Sequence, residues 1–200
     1  MPKPKEYDRD EVLGRAMRVF WERGYAATGI ANLESAMGIN RSSLYHAFGN
    51  KRGLFLAALQ YYDREVVDTL LGELERSDQG VAAIRGLFDR IVGYQVSAQE
   101  CRGCFMNSTA GDSAQHSDEV NKLVLAHLAR FELGFYKALG RARSLGELTD
   151  RVSGDSMGTA NLRGQARLLT GVTQGLLVMA RAGVAPKVLK STARSVLATL

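Results

Sequence analysis

Two groups of residues in this chain have types and spacing that could do chemistry. The first is Arg41, Ser42, Ser43, Tyr45 and His46, a polar run interrupted only by Leu44. An arginine can pair bidentately with guanine or contact a phosphate, and small hydroxyl side chains let a helix sink into a DNA major groove. Arg41 is a stronger candidate for a base contact than His46, whose plain alternative is a surface histidine. Tyr45 and Lys51 read as phosphate contacts, with a half-buried packing aromatic as the alternative for Tyr45. The second group is Cys101-Arg102-Gly103-Cys104. A thiol at a helix start beside Arg102 would have a lowered pKa and respond to electrophiles or oxidants. The alternative makes Cys104 a small apolar residue opening a core helix that continues through Phe105 and Met106.

Other chemistries find less support. Cys101, Cys104, Asp112 and His116 would have to converge to hold a metal ion, and His116 and His127 are not at helical ligand spacing, so neither a metal nor another cofactor is expected. The chain has no phosphate-cradling glycine motif, no His-x-x-x-His pair and no nucleophile elbow, so no enzyme is expected either.

The elements that must position these residues are helical. Only 3 prolines occur in 200 residues, and 46% hydrophobic against 24% charged residues is the composition of a globular protein with a sizeable core. No run of about 18 apolar residues marks a membrane span, and the first residues lack the apolar stretch of a secretory signal, so the cytoplasm is the expected compartment. The net charge of +5 is compatible with a polyanionic partner.

From Asp8 to Gly24, Val12, Leu13, Ala16, Met17, Phe20 and Trp21 recur at three- and four-residue spacing, which predicts an amphipathic first helix. Two short helices follow, Thr28 to Met37 and Asn40 to Phe48. Thr28 is placed to cap the first, Gly38 suits the left-handed turn between them, and Asn40 caps the second. This spacing is a helix-turn-helix pattern, with Leu44 and Phe48 inward and Arg41, Ser42, Ser43, Tyr45 and His46 outward. The apolar pattern then resumes from Asn50 to about Ser77. Longer helices are predicted over Val81 to Ala98, Ser117 to Ala142, Asn161 to Ala182 and Pro186 to Leu200, with a short one after Cys104. The Gly-, Ser- and Asp-rich stretch Ser144 to Thr159 reads as a long loop.

At Thr28, Ile30, Leu33, Gly38, Ile39, Ser43, Leu44, Tyr45, His46, Phe48, Lys51, Leu54 and Phe55, and upstream at Ala16, Phe20, Gly24 and Tyr25, the chain resembles the TetR family of bacterial transcriptional regulators. It departs from the family pattern at Asn32, where an Asp is usual, and at Glu34, where a small residue is usual. The resemblance implies an all-α protein of about nine helices. Residues 1–50 would form the DNA-binding domain, and 51–200 a ligand-binding and dimerisation domain. Thr28, Asn40, Arg41, Ser42, Ser43, Tyr45, His46 and Lys51 are the expected contacts to double-stranded operator DNA.

The resemblance also implies a homodimer through the last two helices, where Gly171, Gly175, Ala180 and Ala182 allow close approach, and a small-molecule effector in the body. Tyr94, Phe105, Met106, Asn107, Phe131, Phe135 and Gln174 are candidates to line its pocket, with most of the apolar ones equally readable as core. The expected function is a repressor released from a palindromic operator by its effector. A redox- or electrophile-sensing regulator using Cys101 and Cys104 on the same scaffold is the alternative.

Overall fold

The computed structural model describes residues 7–76, 78–97, 102–112, 117–148 and 158–200, and every regular element among them is helical. Helix α1 (Arg9–Ala27) starts where the Asp8 carboxylate accepts from the amides of Asp10 and Glu11. Its inward stripe, Val12, Leu13, Ala16, Met17, Phe20 and Trp21, is the predicted one. α2 (Ile30–Met37) and α3 (Arg41–Phe48) are joined at Gly38, whose φ of 70° is left-handed backbone that a side chain would strain. Leu33, Met37, Leu44 and Phe48 turn inward to meet α1 and α4 (Lys51–Tyr62). Phe20, Tyr25 and Phe55 close this head, with Phe55 edge-on to both others at 5.1 and 4.9 Å.

α4 does not end at Tyr62. It runs through one π-helical turn, Asp63–Val67, into α5 (Asp68–Arg76), so the single pattern read from Asn50 onward contains a local widening that apolar periodicity does not report. The body adds α6 (Val81–Ser97), α7 (Phe105–Ala110), α8 (Asp118–Ser144), α9 (Gly158–Arg181) and α10 (Pro186–Leu197), with Pro186 in the first turn as expected. Most of the stretch predicted as a long loop, and Cys101 and His116, lie outside the described residues.

The core continues without a break from α1 to Leu200, centred on Phe88, Phe105, Phe131 and Phe135. Arg130 of α8 bonds Glu75 through two nitrogens at 2.8 and 2.9 Å and also reaches Asp68, tying α8 to α5. None of the helices among the described residues is long and apolar enough to cross a membrane.

Candidate nucleic-acid interface and the cavity behind it

α3 presents a polar outer face because its two apolar residues, Leu44 and Phe48, are spent on the core. Asn40 caps it, accepting from the Ser43 amide at 2.8 Å. Arg41, Ser42 and His46 are exposed, and Ser43 and Tyr45 half-buried. The Arg41 guanidinium lies over the Tyr45 ring at 5.4 Å and donates to its hydroxyl at 3.3 Å, which pre-positions both side chains one turn apart. The Lys51 ammonium sits 4.2 Å over the Tyr25 ring, and partial burial lowers its pKa. Asn50 caps α4 through the Gly53 amide at 2.9 Å, leaving a positive helix end beside α3.

One predicted position needs correcting. Thr28 does not cap α2: it is fully buried and its hydroxyl donates to the Gly24 carbonyl at 2.6 Å, closing α1 instead. The N-cap of α2 is Gly29, whose amide donates to the Asn32 side chain at 3.0 Å. Asn32 therefore does useful capping at a position where the family usually has Asp. The sequence pointed to Thr28 alone as the cap; burial of its side chain leaves the role to Gly29.

Behind the head lies a cavity of about 440 Å³ between α1, the α4–α5 rod, α6, α8 and α9. Trp21, Tyr62, Tyr94, Phe131, Ile91 and Leu177 supply most of its wall, and Cys104 and His127 one end. Of the predicted pocket residues, Tyr94 and Phe131 line it. Phe105, Met106 and Phe135 are core. Asn107 donates to the Gln174 backbone carbonyl at 3.3 Å and lines a smaller cleft on the far side of Cys104. Trp21, Tyr62 and His127 were not among the pocket candidates read from the sequence. The available signal was a histidine on an otherwise apolar face of α8.

His127 links two neighbours: its Nδ1 lies 3.2 Å from Asp63 Oδ1 and its Nε2 3.6 Å from Cys104 Sγ. Burial opposes the imidazolium, but the bonds to Asp63 and Cys104 more than offset it and raise the pKa to about 9. His127 holds the Asp63 carboxyl below its ordinary value, while burial works against the Cys104 thiolate and the bond to His127 reverses that effect. A raised histidine contributes stability that is full below its unfolded value near 6.5 and is lost as pH rises through about 9. We expect unfolding free energy to fall by at most about 3 kcal/mol over that window, or about 6–10 °C in melting temperature. Thermal denaturation at the two ends checks this, and His127→Gln should flatten the profile. An equal slope in the variant would assign it elsewhere.

Trp21 also joins head to body. Its indole Nε1 donates to the Arg102 carbonyl at 2.9 Å, and Arg181 at the end of α9 places Nη1 3.3 Å from the Trp21 carbonyl, 3.0 Å from the Arg102 carbonyl and 2.8 Å from Ser108 Oγ. Arg102 in turn pairs with Glu22 at 2.7 Å. Gly103, at φ 69°, lets this segment pass where a Cβ would come within 2.8 Å of the Leu177 carbonyl.

Comparison with known proteins agrees with this architecture. The signature described as bacterial regulatory proteins, tetR family, matches residues 12–58. An uncharacterised HTH-type transcriptional regulator of Bacillus subtilis, YezE, is 33% identical over 84% of this chain and 86% of its own length. The Escherichia coli HTH-type transcriptional repressor ComR is 29% identical over 90% of this chain and 83% of its own. A cysteine mutant of the TetR family transcriptional regulator CifR, solved with 26 bp double-strand operator DNA, superposes with a TM-score of 0.83 at 29% identity over 98% of both chains. The chain belongs to the TetR family and is a DNA-binding transcriptional regulator, not an enzyme.

Proposed function

We propose that the chain is a repressor that binds a palindromic operator as a homodimer and is released by a small molecule held in the cavity. The division of labour is a DNA-binding unit at residues 1–50 and a ligand-binding and dimerising unit at 51–200. The observation that carries the DNA half is the split of α3, whose apolar side chains are buried and whose Arg41, Ser42 and His46 project from an element rigidly held by the Gly38 turn. In this reading Arg41, Ser42, Ser43 and His46 face base edges, while Asn40, Tyr45, Lys51 and the start of α4 hold phosphates. Thr28 acts only by fixing the end of α1.

The dimer reading rests on one face of α9. Gly164, Leu168, Gly171, Gly175 and Val178 follow each other at alternating spacings of four and three residues, which puts them in one stripe. Leu168 and Val178 are 49% and 56% exposed, and a Cβ on any of the three glycines would meet open space. A two-fold copy of α9 and α10 would cover this stripe in a four-helix arrangement and set the two α3 helices about 34–36 Å apart. A reversible ligand is favoured over thiol oxidation because the Cys104 thiol is buried, so that an oxidant reaches it only by entering the cavity that the ligand would fill.

The test is selection of fragmented genomic DNA by the protein, then anisotropy titration of the best fragment across salt. A palindromic site bound in the nanomolar range with a steep salt slope is expected. Weak binding without sequence preference would sink the reading. A cavity ligand must also bind more weakly to the operator complex than to free protein by the factor with which it weakens DNA binding.

A further inference from the structure

We propose that the cavity takes an uncharged, two-ring aromatic molecule, one with no ionised group. The inference rests on the ligand-controlled reading above and adds the chemistry of the ligand. The wall is built of flat apolar surface: Trp21 and Tyr62 meet edge to face at 5.0 Å, and Phe131 stands beside the His127 ring, also at 5.0 Å. At about 440 Å³ the space lies in the range of small-ligand sites and has room for a two-ring molecule. Tyr94, 53% exposed, stands at the rim, where a ligand can enter without opening the core.

The charge argument decides the class. Three groups of the lining can carry full charge beside the cavity, namely Glu65, Arg90 and His127. Each already has an opposite charge of its own. Arg90 pairs with Glu73 at 2.7 Å and donates to the Leu70 carbonyl at 3.1 Å; His127 pairs with Asp63 at 3.2 Å; Glu65 pairs with Arg64 at 2.7 Å. A carboxylate ligand would enter an apolar chamber in which the guanidinium and imidazolium each already face a carboxylate, with Arg90 Nε buried and without a hydrogen bond of its own among the described residues. An ammonium would gain the aromatic faces, but the lining carboxylate it could pair with, Glu65, is already held by Arg64. Either ion would lose its hydration without gaining a counter-ion, and such a loss is far larger than that of burying a hydroxyl against the thiol and imidazole end. An uncharged aromatic alcohol or ketone incurs only the smaller cost and covers the rings.

Three probes of one shape separate the possibilities: naphthalene-methanol, naphthoate and naphthyl-methylammonium, titrated into the full chain by calorimetry at neutral pH. The alcohol should bind at least about thirtyfold more tightly than either ion. Its binding should disappear in Thr69→Trp, a change at an exposed residue of the cavity lining that fills the entrance, and in Val66→Trp as an independent block. Circular dichroism verifies that both variants are folded. Equal or tighter binding of an ion overturns the proposal, as does the absence of alcohol binding or its survival in folded blocked variants. Failure here is distinguishable from failure of the regulatory reading. An ion that binds and releases operator would leave the regulator standing and overturn the ligand class. An alcohol that binds in the cavity without affecting operator affinity would do the reverse.

Discussion

Arg41→Ala is expected to lower operator affinity by about a hundredfold or more while leaving the melting temperature unchanged within about 2 °C. The stability half follows from exposure, because the side chain projects from the first turn of α3 and its hydrogen bond and ring contact go to Tyr45 of the same helix. The affinity half follows from symmetry: a bidentate arginine–base contact contributes about 1–3 kcal/mol of discrimination, and a dimer loses two of them. Anisotropy titration measures the loss, and its salt dependence reads its kind. If Arg41 reads a base, the salt slope is preserved and selectivity relaxes at one position of each half-site. If it holds a phosphate, the slope falls by about 2 and selectivity stays. Affinity within threefold of the parent would show that α3 does not lie in the groove as argued.

The second large effect belongs to the junction between head and body. Trp21→Ala removes a side chain that is 4% exposed, edge-on to Tyr62 and bonded to the Arg102 carbonyl. Truncating a buried aromatic of this size costs about 3–5 kcal/mol, and the melting temperature should drop by about 8–15 °C. The informative partner is Arg181→Met, which keeps much of the apolar stem and deletes the bonds to Trp21, Arg102 and Ser108. Because Trp21 is at once a wall of the cavity and an acceptor of that latch, a ligand that displaces the indole strains the latch and through it the orientation of α1. Arg181→Met should therefore retain operator affinity within a few-fold and lose at least about fivefold of the ligand's effect on it, within the usual span of coupling between sites. Release equal to that of the parent would route the signal elsewhere, with the π-helical turn at Asp63–Val67 the next element to test.

Much of the head was legible because its signals are local. The stripe from Val12 to Trp21, the Gly38 turn and the Asn40 cap each depend on residues within a few positions of one another, and so does the exposure of Arg41, Ser42 and His46. Thr28 was misread as a cap for the opposite reason: two adjacent residues could serve, and only packing against the rest of the head buries one of them. The π-helical turn was invisible because the four-residue repeat from Tyr62 runs on through Val66 and Leu70, while the apolar neighbours Val67 and Leu71, one position later, are the residues the turn buries.

The cavity shows the limit most clearly. Tyr94 and Phe131 were among its candidates, yet Phe105, Met106 and Phe135 had equal claim by type and spacing and went into the core. Whether an aromatic side chain lines a space or fills one depends on what the facing helix brings, here Trp21 from the head, Tyr62 from α4 and Leu177 from α9. The sequence by itself determined the helical class, the helix-turn-helix and the family, because these follow from short-range periodicity and capping. Only the tertiary structure decided that Asp63, Cys104 and His127 meet, that the charges around the cavity pair with one another, and that Trp21 serves both cavity and latch. The contacts of His127 with Asp63 and Cys104 and of Trp21 with Arg102 join residues more than twenty positions apart, and their positions are set by the packing of whole helices.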